Sequence, residues 1–189
     1  MNGLDIQKAI IYAAKKHEGQ KRKGTDIPYI VHPMEVMQIL TDINCSIDVV
    51  IAGILHDTLE DTTATPEEIR SFFGAEVLKL VQTESEDKSK TWKERKQATI
   101  DRIKTASFET CLIALADKLS NIRAMYNDKQ LLGDTLFERF NADKNSIAWY
   151  YKSVADVLEY KKYEGNGNFS KITSYWKEYS NLVDKVFNI

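Results

Sequence analysis

Val49-Val50-Ile51-Ala52-Gly53-Ile54-Leu55-His56-Asp57-Thr58-Leu59-Glu60-Asp61 passes from an apolar stretch straight into a histidine and three carboxylates. The apolar half reads as a core helix that opens near Ile47. The carbonyl end of such a helix already carries partial negative charge, so acids placed there are unfavourable. Their mutual repulsion beside an apolar core adds to the cost. A bound cation relieves it, because imidazole nitrogen and carboxylate oxygen together suit a divalent metal. The stretch therefore reads as a site at the end of a buried helix, not as a solvated face.

Helical spacing continues on both sides of it. Leu4, Ile6, Ala9, Ile10, Ala13 and Ala14 predict an amphipathic helix running to about His17. Residues 19–29 form a basic loop bounded by turn residues, and Pro33 suits the first turn of a second helix. Thr65-Pro66-Glu67-Glu68 combines a cap, a first-turn proline and a capping box, and that helix stops at Gly74. A further helix runs through Val77, Leu78, Leu80 and Val81. The span 83–91 reads as a loop, and helical spacing resumes over 92–104. Residues 111–116 form a buried helix that runs into Asp117, and 147–163 is an aromatic-rich helix. Gly165-Asn166-Gly167-Asn168 breaks the chain before a last amphipathic helix. No alternating strand pattern of useful length occurs, so the fold class is all-α. Residues 1–164 are expected as one domain. Residues 165–189 form a C-terminal helical extension that packs on it or on a second copy in a homo-oligomer.

A chain of 189 residues with 43% hydrophobic content can bury one good core. The formal net charge of −2 gives no global basic field, so no nucleic-acid partner is expected. No apolar run approaches the roughly 20 residues of a membrane span. The N-terminus lacks a secretory pattern, and a cytoplasmic location is expected. Cys45 and Cys111 lie in separate apolar settings and read as buried thiols of a reducing compartment.

On one helix face His56 sits over Glu60, and Asp57 over Asp61. That offers two metal ligands and two acids behind them, and the remaining ligands must come from elsewhere. With only three histidines in the chain, the candidates are few. His32 precedes Pro33 at the start of a helix. Asp117 ends an apolar run, a costly place for an unpaired carboxylate. Each also has an ordinary reading, His32 as structural and Asp117 as a cap or salt-bridge partner. His17, at the end of a lysine-bearing helix, reads as a surface or loop-bracing imidazole.

His32, the pair His56-Asp57 and the distant Asp117 resemble the H…HD…D signature of the HD phosphohydrolase superfamily. Residues 17–33, the run HDTLEDT at 56–62 and Leu115-Ala116-Asp117-Lys118-Leu119-Ser120-Asn121-Ile122-Arg123 resemble, in order, the hydrolase domain of the RelA/SpoT homologues. The resemblance implies a helical bundle of the HD type. With no room for synthetase and regulatory domains, it points to a stand-alone small alarmone hydrolase. The implied reaction removes the 3′-pyrophosphate of (p)ppGpp, giving GDP or GTP and pyrophosphate, with Mn²⁺ as the usual metal.

Carried over by position, His32, His56, Asp57 and Asp117 match the metal ligands, and Glu60 and Asp61 match the acidic pair that handles water. Arg22, Lys23 and Asn121 match positions of the nucleotide pocket. Arg95 and Lys96 lie in a second basic stretch similar to the stand-alone hydrolases and are candidates for the distal phosphates. Tyr150 offers a ring for the base, although aromatics on a helix also read as core. Nitrogen and oxygen ligands without thiolate suit Mn²⁺ or Fe²⁺, and three histidines are too few for an extended dinuclear site. One divalent metal is therefore expected. Glu60, one turn beyond His56, is the first choice for positioning or deprotonating the water. Asp61 is left with either the leaving group or the holding of a water. Relatives often carry serine-glycine after the basic pair and histidine before the asparagine, where this chain has Gly24-Thr25 and Ser120. The base is therefore less firmly implied than the phosphate chemistry. A ppApp-type alarmone, the 2′-phosphate of NADPH, and a sensing module without turnover stand as alternatives. An all-α interaction protein is a fourth, and it leaves the buried acids unexplained.

Overall fold

The computed structural model describes residues 3–83, 89–161 and 169–189. Among them there is no strand, only an isolated bridge between Lys21 and Pro28, and the chain is all-α as its spacing predicts. It divides into two compact units, Met1–Glu86 and Asp87–Ile189. The expected boundary at 164/165, the glycine-asparagine break and Lys88 of the second basic stretch lie outside the described residues.

The first unit holds α1 (Gly3–Lys16), α2 (Val31–Asp42), α3 (Ile47–Leu55), the single turn α4 (Thr58–Asp61), α5 (Pro66–Phe73) and α6 (Ala75–Gln82). Helix α3 is its core: every residue from Val49 to Leu55 is buried, and α1, α2 and α6 pack on it. Ser46 caps its start, its Oγ accepting from the Val49 amide at 3.4 Å. Gly53 allows α2 to come close. A Cβ there would lie 2.3 Å from Leu40 Cδ1 and 3.2 Å from Val36 Cγ1, two side chains that are themselves fully buried.

Helix α3 does not run on through the carboxylates as one helix. Thr58 Oγ1 donates to the Leu55 carbonyl at 2.7 Å, a local side-chain bond that competes with the helical ladder. His56 and Asp57 form a turn, and the Asp61 amide then donates to the Asp57 carbonyl at 2.9 Å to make α4. The capping box of α5 forms as read: Thr65 Oγ1 accepts from the Glu68 amide at 3.2 Å, and Glu68 Oε2 accepts from the Thr65 amide at 3.1 Å. The same Glu68 oxygen accepts from the Tyr12 hydroxyl at 2.9 Å and from Lys16 Nζ at 2.8 Å, which ties α5 to α1.

The second unit holds α7 (Trp92–Thr105), α8 (Phe108–Leu132), a 3₁₀ segment (Gly133–Arg139), α9 (Lys144–Lys161) and α10 (Phe169–Phe187). Helix α8 is central, with α7, α9, α10 and the 3₁₀ segment packed on it. It runs far past the apolar stretch 111–116, because Leu119, Ile122 and Met125 prolong the buried stripe at helical spacing. The apolar face of α10, carrying Ile172, Tyr179, Val183 and Val186, is buried within this unit. Trp176 Nε1 donates to the Ala155 carbonyl and the Tyr179 hydroxyl to the Tyr151 carbonyl, each at 2.9 Å. Cys111 is buried and Cys45 half-buried, and both are free thiols. No helix among the described residues is long and apolar enough to cross a membrane.

Candidate metal centre

In the first unit, the start of α2 and the turn after α3 bring His32, His56 and Asp57 together. One ligand atom from each lies within 4.8 Å of the others. Both imidazoles are about 2% exposed. His32 Nε2 and His56 Nε2 stand 3.2 Å apart, and Asp57 Oδ2 is 2.9 Å from the latter and 3.6 Å from the former.

The hydrogen bond on the far side of His56 fixes what that cluster can do. His56 Nδ1 is 2.8 Å from the Gly53 carbonyl, which can only accept, so Nδ1 carries the proton. In the neutral ring, Nε2 then presents a lone pair toward a second imidazole nitrogen and a carboxylate oxygen. Such facing groups repel unless a proton or a metal cation lies among them. A backbone carbonyl behind the imidazole is also the partner that orients a metal-ligating histidine. The residues present therefore fit a divalent metal.

The rim of this cluster comes from the loop between α1 and α2. Arg22 N donates to the Ile27 carbonyl at 2.8 Å and Tyr29 N to the Gln20 carbonyl at 2.9 Å, closing the loop across the Lys21–Pro28 bridge. Lys21 pairs with Asp26 at 2.6 Å, both side chains exposed. Arg22 is half-buried with its guanidinium 5.6 Å from the Tyr29 ring centroid, whereas Lys23 is exposed.

His17 is buried, not at the surface. It stacks on Tyr29 with centroids 4.7 Å apart, and its Nδ1 lies 2.7 Å from Gln20 Oε1. The Gln20 amide in turn donates to the Asp61 carbonyl at 2.7 Å. That is the loop-bracing role. Glu60 is half-buried on α4 and Asp61 is exposed. Tyr29 is not among the residues expected at the site, yet its hydroxyl donates to Asp57 Oδ2. Burial, and then the Asp57 carboxylate, push its phenol well above the ordinary tyrosine range. The nearest sequence signal is its place three residues before His32.

Asp117, Asn121, Arg95, Lys96 and Tyr150 belong to the second unit. Asp117 is buried on α8, and its carboxylate has partners there: Lys118 Nζ donates to Oδ2, and Asn121 Nδ2 donates to Oδ1 at 2.5 Å. Asn121, one turn on, thus braces Asp117. Tyr150 is buried, with Lys96 Nζ 5.1 Å and Lys118 Nζ 5.9 Å from its ring centroid. Arg95 is half-buried one residue before Lys96. Lys118 is a further cation that the sequence reading passes over, although it directly follows Asp117.

An all-helical chain that brings a histidine and a His-Asp pair together at helix ends has the features of HD-domain phosphohydrolases. The chain belongs to the HD-domain family, whose model, described as HD domain, matches residues 9–139. The GTP pyrophosphokinase rsh of Brucella melitensis is 38% identical over 140 residues, which is 69% of this chain. The chain spans only 18% of that relative's length. The guanosine-3′,5′-bis(diphosphate) 3′-pyrophosphohydrolase MESH1 of Danio rerio is 40% identical over 121 residues, covering 62% of this chain and 67% of that one. A solved structure described as a metazoan ortholog of SpoT that hydrolyzes ppGpp is 29% identical. It covers 100% of this chain and 96% of its own, with a TM-score of 0.73.

Proposed function

We propose that this chain is a divalent-metal phosphohydrolase that cleaves the 3′-pyrophosphate from (p)ppGpp, releasing pyrophosphate and GDP or GTP. The observation that carries the reading is the buried His32–His56–Asp57 cluster, in which the Gly53 carbonyl aims the His56 Nε2 lone pair at the Asp57 carboxylate. The names and identities of the relatives support the substrate. His32, His56 and Asp57 hold one metal, and the resemblance adds Asp117 as a fourth ligand. The donor set suits Mn²⁺, with Fe²⁺ second. When bound, the ion makes a water more acidic and draws charge from a phosphoryl oxygen.

The chain's own residues supply the proton transfers. Attack of water on the phosphorus nearest the ribose breaks its bond to the 3′-oxygen, so one proton must leave the water and one must reach that oxygen. Glu60, half-buried and one turn after His56, takes or orients the proton of the water. Asp61, at the exposed end of the same turn, serves the departing 3′-oxygen. Arg22 grips phosphate bidentately or stacks on the base, and Lys23 adds a point charge from the same loop. Asn121, Arg95 and Lys96 supply the remaining nucleotide contacts implied by the resemblance, and Tyr150, from the aromatic run of its helix, offers a ring for the base. Free thiols at Cys45 and Cys111 suit the reducing cytoplasm, where we place the protein.

The test is kcat/KM of Mn²⁺-loaded protein on ppGpp, pppGpp, ppApp and NADPH. The guanosine pair is expected to lead. Preference for ppApp or NADPH would overturn the substrate, and binding without turnover would replace the hydrolase with a sensor.

A further inference from the structure

Asp57 occupies the N-cap position of α4, and aspartate is among the residues best suited to cap a helix through its side chain. Its carboxylate makes no such bond. It turns instead toward the two imidazoles, with backbone angles of φ −92° and ψ −5°. A carboxylate's terminal torsion is soft and broadly populated, so backbone geometry alone does not fix where its oxygens lie.

Beyond the imidazole pair, the Tyr29 hydroxyl donates to Asp57 Oδ2. Tyr29 is itself held on several sides. His17 stacks on one face of its ring with an interplanar angle of 29°, and His32 meets it edge-on at 5.9 Å and 75°. Its backbone amide is taken by the Gln20 carbonyl at 2.9 Å, and its carbonyl accepts from the His32 amide at 3.0 Å. The brace continues beyond the ring, since His17 bonds Gln20 and Gln20 bonds the Asp61 carbonyl. One run of contacts, from buried His17 through half-buried Tyr29 and Gln20, thus links the metal-ligand turn, the acid-bearing turn and the loop that carries Arg22.

We propose that Tyr29 is a positioning residue for Asp57. Its hydroxyl holds the carboxylate in the orientation that closes the His32–His56–Asp57 cluster, and the His17 ring holds Tyr29 in place. The proposal rests on reading that cluster as a metal site. An oxygen that accepts the phenolic proton on one side keeps a lone pair for a cation on the other, so the two contacts are compatible. Partners of this outer kind change metal affinity or activity by about 10–100-fold when removed.

The experiment compares Mn²⁺ binding by the full chain and by Tyr29→Phe without nucleotide, reading free Mn²⁺ by electron paramagnetic resonance. The variant removes one oxygen and keeps the stacked ring. The expected result is a Kd weaker by about 10–100-fold in Tyr29→Phe. A second variant, His17→Ala, keeps the hydroxyl and removes the ring that steers it, and is expected to weaken Mn²⁺ binding in the same direction. Melting of the metal-free proteins accompanies both. A variant that stays folded yet binds Mn²⁺ as tightly as wild type overturns the positioning role and leaves the hydrolase reading standing. A wild-type chain that binds Mn²⁺ but does not cleave ppGpp overturns the hydrolase reading instead. The Kd ratio then still decides the role of Tyr29.

Discussion

At the scale of single residues, Glu60 and Asp57 separate binding from chemistry. Glu60 lies outside the cluster of facing nitrogens and oxygens, so Glu60→Gln should leave Mn²⁺ affinity near that of wild type. Its kcat should fall by about 10²–10⁴-fold, the usual size of an acid–base contribution. Asp57→Ala should lose Mn²⁺ binding and turnover together. Calorimetry with Mn²⁺ beside steady-state kinetics distinguishes the two patterns, and a Glu60→Gln protein with normal kcat would remove Glu60 from proton transfer. The pair His56-Asp57 is legible in the sequence because a His-Asp pair after an apolar helix is locally conspicuous, whereas His32 before a proline also reads as structural and joins the pair through the family resemblance. Tyr29 is not legible, because its bond to Asp57 joins positions 28 residues apart and leaves no local pattern.

At the scale of elements, helix α3 depends on two contacts that involve Gly53: the close approach of α2 and the carbonyl that orients His56. Gly53→Ala must displace buried Leu40 and Val36, and overpacking of this kind costs about 1–3 kcal/mol. Urea unfolding should show that loss, with weaker Mn²⁺ binding beside it because the carbonyl moves with α3. The tie between α1 and α5 gives a pH signature. Hydrogen bonds from Lys16 and then Tyr12 hold the Glu68 carboxyl down at about 2. A depressed carboxyl contributes stability above its unfolded value of about 4.3 and loses it as pH falls toward 2. The melting-temperature gap between wild type and Glu68→Gln should therefore be steady near neutrality and close as pH falls through that window. A gap that persists at pH 2 would contradict it.

Thr65, Pro66 and Glu68 announced α5 because capping chemistry is local. The stop of α3 was less legible, since it depends on Thr58 competing for the Leu55 carbonyl while His56 keeps helical angles. The reach of α8 beyond Ala116 was hidden for a different reason. Its buried stripe continues through Leu119, Ile122 and Met125 between polar residues, with no continuous apolar run to mark it.

At the scale of the whole molecule, a ligand that binds only the folded chain stabilises it by mass action. Mn²⁺ at 100 times its Kd should add about 2.7 kcal/mol, so the melting temperature of chelator-stripped protein should climb with Mn²⁺ concentration. His56→Ala should abolish that climb. Beyond metal binding, the reaction is defined by the one bond it breaks, between the 3′-oxygen and its phosphorus, and product analysis tests this most directly. Mn²⁺-loaded wild-type protein incubated with ppGpp should release GDP and pyrophosphate in equal amounts, and Asp57→Ala should release neither. Orthophosphate in place of pyrophosphate, or intact ppGpp in the presence of bound Mn²⁺, would contradict the account.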